Sequence, residues 1–211
     1  MPTSQSEWDE KHRLAAEDPA AEPAGILREL LPLVPAGPAL DLACGTGRNA
    51  LFLAESGRHV TAVDWSAAAL HVLASRALEK KIPVRRIERL EAVKHPQGSG
   101  IELLQADLEK ITLPKESYDA IVCVRYLQRT LFPQICRALR PGGLLLYETY
   151  TEAQLEFEGG PRDPAHLLKT GELRDSFPQL HVLFYRELRA GQGIASLVAR
   201  ALRLRAIPGR N

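Results

Sequence analysis

The run Ala39-Leu40-Asp41-Leu42-Ala43-Cys44-Gly45-Thr46-Gly47-Arg48-Asn49-Ala50 concentrates the residues that could do chemistry. It reads as a buried strand carrying a carboxylate, a glycine turn and a helix start. Gly45 and Gly47 tolerate backbone angles that other residues resist, and without side chains they let a ligand approach the main chain. A helix opening after Gly47 offers unpaired N–H groups and the positive end of its dipole. The next strand, His59-Val60-Thr61-Ala62-Val63-Asp64, ends in another carboxylate. A βαβ unit with an acidic end to its second strand holds an adenosine ribose through its hydroxyls.

Gly45-x-Gly47-x-x-Ala50 also fits the dinucleotide fingerprint, which is a weak signal alone. Three features weigh against a dinucleotide. Asp41 stands upstream of the glycines, where it suits a ligand with a cationic amino group or orders the loop. Asp107, after the strand Ile101–Gln105, is placed to accept the exocyclic amine of adenine. The chain also ends in two strand-like runs, Leu180–Leu188 and Ser196–Leu202, whose short connection Arg189–Gly193 permits only an antiparallel hairpin.

The elements around these residues alternate in α/β fashion. Helices are expected over Trp8–Leu14, Ile26–Leu31, Arg48–Glu55, Ala67–Lys80 (capped by Ser66), Phe132–Leu139 and Glu172–Phe177. Strands are expected over Ala39–Ala43, Val60–Asp64, Ile101–Gln105, Tyr118–Val124 and Leu144–Glu148, before the closing hairpin. Val84–Leu90 fits strand or helix, and residues 81–100 read as an elaborated connection whose Arg and Lys residues form a solvated face with Glu79, Glu88 and Glu91. The expectation is a Rossmann-like, doubly wound, mostly parallel seven-stranded sheet ending in an antiparallel hairpin. Residues 1–24 form an arm, 25–205 the domain and 206–211 a tail.

At 211 residues, with 45% hydrophobic and 25% charged residues, the composition is that of one globular domain. The formal net charge of +1 gives no global attraction to nucleic acid or anionic lipid. Cys44, Cys123 and Cys136 lack metal-ligand spacing and read as reduced thiols, so no metal is expected. No segment resembles a membrane span or a signal peptide, which points to the cytoplasm.

From Ala39 to Ala201 the chain resembles the class I S-adenosylmethionine-dependent methyltransferases. Asp41-Leu-Ala-Cys-Gly45-Thr-Gly47 resembles their first motif, Asp64 the acidic end of their second strand, Asp107 the adenine-side acid, Tyr118-Asp119-Ala-Ile-Val their fourth strand, and Leu139-Arg-Pro-Gly-Gly143 the turn before their fifth. Asp41–Asn49 with Leu51–Ala54, and Gly171-Glu172-Leu173-Arg174, Tyr185-x-Glu187 and Leu197–Arg200, are similar to the tellurite-resistance type of small methyltransferase. The resemblance implies S-adenosyl-L-methionine as cofactor. Gly45 and Gly47 would admit its methionine part, Asp41 order the loop or take the amino group, Asp64 hold the ribose, Trp65 lie against adenine, and Asp107 and Leu108 flank the base edge.

Acceptor contacts are expected beyond the fourth and fifth strands, because ligands of open α/β sheets bind at the carboxyl ends. Arg125, Tyr126, Tyr150 and His166 are the candidates for catalysis. Arg129, Tyr147, Glu148, Arg162 and Arg174 are further candidate contacts, with Arg162 and His166 in a segment that could act as a flexible lid. Clustered arginines would favour an anionic acceptor, unless they pair with Glu148, Glu152, Glu156 or Glu158. A small-molecule acceptor is expected, a thiol or metalloid oxyanion among the candidates, with RNA or protein as the alternative. The near-zero charge and the lack of an Asn/Asp-Pro-Pro-Tyr motif weigh against nucleic acid, while Arg85-Arg86-x-x-Arg89 leaves it room.

Overall fold

A computed structural model describes residues 6–7, 9–10, 22–91 and 98–202. The expected arm helix and its Trp8 lie largely outside the described residues, and so does the tail. Helix α1 (Gly25–Glu29) and a 3-10 turn (Leu31–Leu33) precede strand β1 (Ala39–Leu42). Then come α2 (Arg48–Glu55), β2 (His59–Asp64), α3 (Ala67–Glu79), β3 (Val84–Ile87), β4 (Gly100–Gln105), β5 (Tyr118–Val124) and α4 (Phe132–Ala138). The chain continues through β6 (Leu139–Tyr150), α5 (Glu172–Asp175), β7 (Leu180–Arg189) and β8 (Gly193–Ala201).

The sheet has eight strands in the order β3-β4-β2-β1-β5-β6-β8-β7. All pairs are parallel except β6–β8 and β8–β7. The Rossmann-like expectation holds with one strand more than the seven counted from sequence. The addition is β3, in the stretch that periodicity left open. Arg85 projects from β3 onto Glu102 of β4, a carboxylate that also meets His59 Nε2 at 3.3 Å and accepts from Thr61 Oγ1 at 3.4 Å. His59 and then Arg85 outweigh burial and hold Glu102 down at about 2. The strand pairs with β4 over Val84–Ile87, Val84 and Ile87 pack against the two apolar layers, and Arg85 adds an ion pair to Glu102 on its neighbour, a partnership invisible in local hydrophobicity. Arg85 with Glu102, and Arg89 with Glu91, also take up charge from the basic run.

Side chains alternate across the sheet and feed two apolar layers. Ala39, Val60, Ala62, Ala120 and Val122 meet Ile26 and Leu27 of α1, Leu53 of α2 and Leu70 and Leu73 of α3. On the other face Leu40, Leu42, Ile121 and Cys123 meet Phe132 and Ile135 of α4 and Leu173 of α5. Phe132, Tyr147 and Phe177 form an aromatic triangle with centroids 5.0–6.0 Å apart, each edge contributing about 0.5–1.5 kcal/mol beyond area burial. Tyr147 is thus a core residue rather than an acceptor contact, and its hydroxyl donates to the Tyr126 carbonyl at 3.0 Å.

Strand β6 begins at Leu139 rather than Leu144. Tyr118 pairs with Leu139, and a bulge restores the register at Ala120–Leu144. The Arg140-Pro-Gly-Gly143 stretch supplies that irregularity inside the strand: a Cβ on Gly143 would stand 2.9 Å from the Arg140 carbonyl oxygen.

The segment carrying Arg162 and His166, expected as a flexible lid, is fastened at several points between residues 151 and 171. Buried Gln154 accepts the Gly193 N–H at 2.9 Å and donates to the Glu158 and Gly159 carbonyls. Arg129 pairs with Glu172 and donates to the Ala165 and Leu167 carbonyls at 3.0 and 2.9 Å. Arg162 donates to the Leu155 and Phe157 carbonyls. At Gly193 a Cβ would lie 2.2 Å from the Gln154 nitrogen, so only glycine lets β8 approach this segment. Overpacking of this kind costs about 1–3 kcal/mol. Gly193→Ala is expected to lose stability at the upper end of that range in urea denaturation; an unchanged midpoint would show that the clamp yields freely.

Candidate functional site

The order of strands reverses between β1 and β5, and a ligand crevice in such a sheet opens at the carboxyl ends beside that point. Registers Leu42↔Val63 and Asp64↔Gln105 bring the glycine turn, the end of β2 and the end of β4 to one edge. Asp41, Gly45, Gly47, Asp64, Trp65, Asp107 and Leu108 all come from these three neighbouring strands and their exits.

The turn leaves β1 through Ala43, at φ 54°, while the Cys44 N–H donates to the Val63 carbonyl at 3.0 Å. Gly47 is left-handed, at φ 85°, and caps α2. A Cβ there would stand 2.1 Å from Leu73 Cδ1, so Gly47 also lets α2 pack against α3. Asp64 ties the edge together: the Gly45 N–H donates to its Oδ2 at 2.7 Å and the Ser66 N–H to its Oδ1 at 2.9 Å. Ser66 caps α3 by accepting the Ala69 N–H at 3.1 Å, and it donates to Asp9, which also accepts the Ala68 N–H at 3.1 Å. Residues ahead of β1 therefore reach the rim of the cofactor side.

Asp107 stands just past β4, where Oδ1 accepts the Glu109 N–H and Oδ2 meets Lys110 Nζ, both at 3.0 Å. These contacts, the Lys110 bond first, hold its carboxyl below the ordinary range. Leu108 is buried beside it, and Trp65 is half-buried, its carbonyl accepting from Gln105 Nε2 at 3.4 Å.

Asp41 is the anomaly of the site. It is fully buried on the α2 side of β1, and neither carboxylate oxygen has a hydrogen-bond partner. Burial, and then the nearby Asp64, push its carboxyl up to about 7, eased only partly by the Ala50 N–H and Arg48. An orphaned carboxylate beneath a glycine turn fits a ligand that brings a cation, as the α-ammonium of S-adenosylmethionine would.

Arg125 and Tyr126 leave β5 beside Tyr150 at the end of β6, and Arg125 meets Tyr150 there. Arg125 has φ 59°, and its N–H donates to the Glu148 carbonyl at 2.7 Å. Its guanidinium donates to the Tyr150 hydroxyl and to Gln192 Oε1 at 3.4 Å, and lies 5.3 Å from the Tyr150 ring centroid. Burial pushes the Tyr126 phenol up, with Cys123, Glu109, Asp107 and Asp64 adding to it. His166 ends a 3-10 turn (Pro164–His166) and makes no side-chain hydrogen bond with these three residues.

Glu148 is buried and accepts from Ser196 Oγ at 2.7 Å. Arg129 is spent on Glu172, and Arg174 on Asp175 and the Tyr185 ring. Of the four glutamates weighed as arginine partners, Glu156 takes one, from Arg189. Arg48 and Gln192 were not singled out from sequence. Arg48 directly follows Gly47 at the first turn of α2, which was a usable signal; nothing local marks Gln192.

A depression of about 260 Å³ lined by Gly37, His59, Asp119 and Arg140 lies at the amino ends of the strands, away from this edge. Among the described residues no group of three or more metal-type ligands occurs, and no helix is long and apolar enough to cross a membrane.

Residues 39–143 match the profile of a methyltransferase domain. The chain is 42% identical over 174 residues to a protein named hemagglutinin 1 of Eikenella corrodens, covering 76% of this chain and 49% of that one. It is 30% identical over 152 residues to trans-aconitate 2-methyltransferase of Azoarcus sp., covering 69% and 50%. Thus the chain spans about half the length of these curated relatives. The structure of TehB from Haemophilus influenzae superposes with a TM-score of 0.68 at 18% identity, over 86% of this chain and 63% of that one, a likeness of fold.

The state of Asp41 sets a pH dependence. Its folded-state carboxyl is raised from 3.8 to about 7, so the stability present at low pH is lost as pH rises through about 7. At 1.36 kcal/mol per unit, the ligand-free protein is expected to lose about 3 kcal/mol between pH 5 and pH 8. Asp41→Asn should flatten this slope in denaturation experiments. An equal slope in the variant would place the raised carboxyl elsewhere.

Proposed function

The chain belongs to the class I S-adenosylmethionine-dependent methyltransferases, and from that premise we propose that it transfers a methyl group from S-adenosylmethionine to a small-molecule acceptor. The observation that carries this reading is the orphaned Asp41 carboxylate under a glycine turn that Asp64 pins from the next strand. Asp41 would take the ammonium of the methionine part, the Gly45–Gly47 backbone would line that part, and Asp64 would hold the ribose. Trp65, Asp107 and Leu108 would border the adenine.

When bound, S-adenosylmethionine supplies a methyl group already activated by the sulfonium. The protein's task is alignment, which is worth on the order of 7–11 kcal/mol for well-oriented partners. An acceptor lone pair would displace the sulfur, the methyl–sulfur pair staying with S-adenosylhomocysteine. The two sides of the crevice fit these duties: the exits of β1, β2 and β4 for the cofactor, those of β5 and β6 for the acceptor. Thiolates and metalloid oxyanions need little help from a base, which agrees with a site where no residue is committed to that role. The acid named in one relative, trans-aconitate, is likewise a small anion. Of the basic run Arg85-Arg86-x-x-Arg89, Arg85 is matched by Glu102 and Arg89 by Glu91, which leaves little positive charge there for an RNA acceptor.

Calorimetric titration tests the reading. S-adenosylmethionine and S-adenosylhomocysteine are expected to bind, and Asp64→Ala to weaken both at least tenfold, because it removes the ribose acceptor and the pin on Gly45 together. Tight binding of NADH with no response to either sulfur compound would overturn the assignment.

A further inference from the structure

The arginines of this protein divide by what their guanidinium groups meet. Arg28, Arg85, Arg89, Arg129, Arg140, Arg174 and Arg189 each pair with a carboxylate. Arg125, at the exit of β5, pairs with none among the described residues. Its two side-chain partners, the Tyr150 hydroxyl and the Gln192 carbonyl oxygen, are neutral. They orient the cation without cancelling its charge, and a guanidinium keeps further donors in a fixed plane after making two bonds.

The backbone shows that this placement is imposed. Arg125 occupies the left-handed region at φ 59°, which a long side chain rarely adopts and which costs energy unless its surroundings enforce it. The enforcement is visible on both sides: the Arg125 N–H donates to the Glu148 carbonyl at 2.7 Å, and the Tyr147 hydroxyl holds the Tyr126 carbonyl at 3.0 Å. A glycine would fit this angle without strain, yet the chain places an arginine there.

A second cation lies nearby. Arg48, half-buried at the start of α2, donates to the Glu22 carbonyl at 3.4 Å and forms no ion pair among the described residues. Burial and then Arg125 lower its pKa, against the pull of Asp41, Glu148 and Tyr150. The nearest carboxylate of β6, Glu148, is turned to Ser196 instead. Arg48 thus sits at the start of α2 and Arg125 at the exit of β5, on the two sides of the strand-order reversal, and neither forms an ion pair among the described residues.

We propose that the methyl acceptor is a small acid whose carboxylate or oxyanion group is bound by Arg125, with Tyr150 and Gln192 holding the guanidinium in place and Arg48 adding positive potential. This rests on the methyl-transfer reading and deepens it: Arg125 is a specificity-determining residue, and amines and neutral molecules are poor acceptors. The β7–β8 turn, which carries Gln192, becomes part of the acceptor site although it is the far end of the chain from the glycine turn.

The same chemistry could instead serve the carboxylate of the cofactor's own methionine part, so the experiment separates the two. Protein saturated with S-adenosylhomocysteine is titrated with succinate, citrate and selenite as anion probes, and with succinamide as the neutral control. At least one anion is expected to bind and succinamide not to. Arg125→Gly, which removes the guanidinium and the backbone strain together, should raise the anion Kd at least tenfold, leave S-adenosylhomocysteine affinity within twofold and not lower Tm. Arg125→Lys should recover part of the anion affinity.

Failure of every anion to bind wild-type protein overturns the proposal, as does unchanged anion binding by Arg125→Gly. A parallel fall in S-adenosylhomocysteine affinity assigns the guanidinium to the cofactor and overturns it as well. If wild-type protein does not bind S-adenosylhomocysteine in the first titration, the methyl-transfer reading itself falls and the proposal with it.

Discussion

The Asp64 carboxylate is the joint on which the ligand edge of this protein depends. One oxygen holds the Gly45 N–H of the turn after β1, and the other holds the Ser66 N–H where β2 passes into α3. Charge-assisted bonds of this kind are shorter and stronger than neutral ones, and both are sheltered from water. They hold two loops at fixed separation and leave the carboxylate facing the crevice. The Ser66 that Asp64 positions then caps α3 and meets Asp9, so the order of the rim follows from the same group.

Around that joint the site divides by charge. The cofactor side holds Asp41, Asp64 and Asp107, two of them satisfied and one buried without a partner. The acceptor side holds Arg48 and Arg125. A ligand that is cationic at one end and a partner that is anionic would neutralise both halves. Arg129 pins residues 165–172 with a carboxylate partner, Arg162 holds its segment through backbone carbonyls, and Arg125 meets only neutral side chains among the described residues.

Much of this was legible beforehand. The order of strands and helices followed from runs of apolar residues and from punctuation such as Ser66 and Gly57, which act through neighbours only a few residues away. The glycine turn and the acids at 41, 64 and 107 were legible for the same reason: each sits at a strand exit that local pattern locates. β3 escaped because its place is set by pairing with β4 and by Arg85 meeting a glutamate 17 residues on, neither of which shows in its own periodicity. The early start of β6 escaped because Pro141 and the glycines beside it look like a turn until a bulge against Tyr118 absorbs them.

The sequence by itself determined the fold class and the placing of the glycine turn and the acids at the strand exits, because these rest on short-range chemistry: which residues can turn, which must be buried, and which acids end a strand. Only the tertiary structure decided how the remaining charges are spent. It assigned Tyr147 to the core and Glu148 to Ser196, fastened the 151–171 segment through Gln154, and brought Gln192 onto Arg125 across 67 positions of chain. A side chain is free for a ligand only when no residue elsewhere claims it, and that is a property of the packed whole. The spacing of residues along the chain carries no record of it.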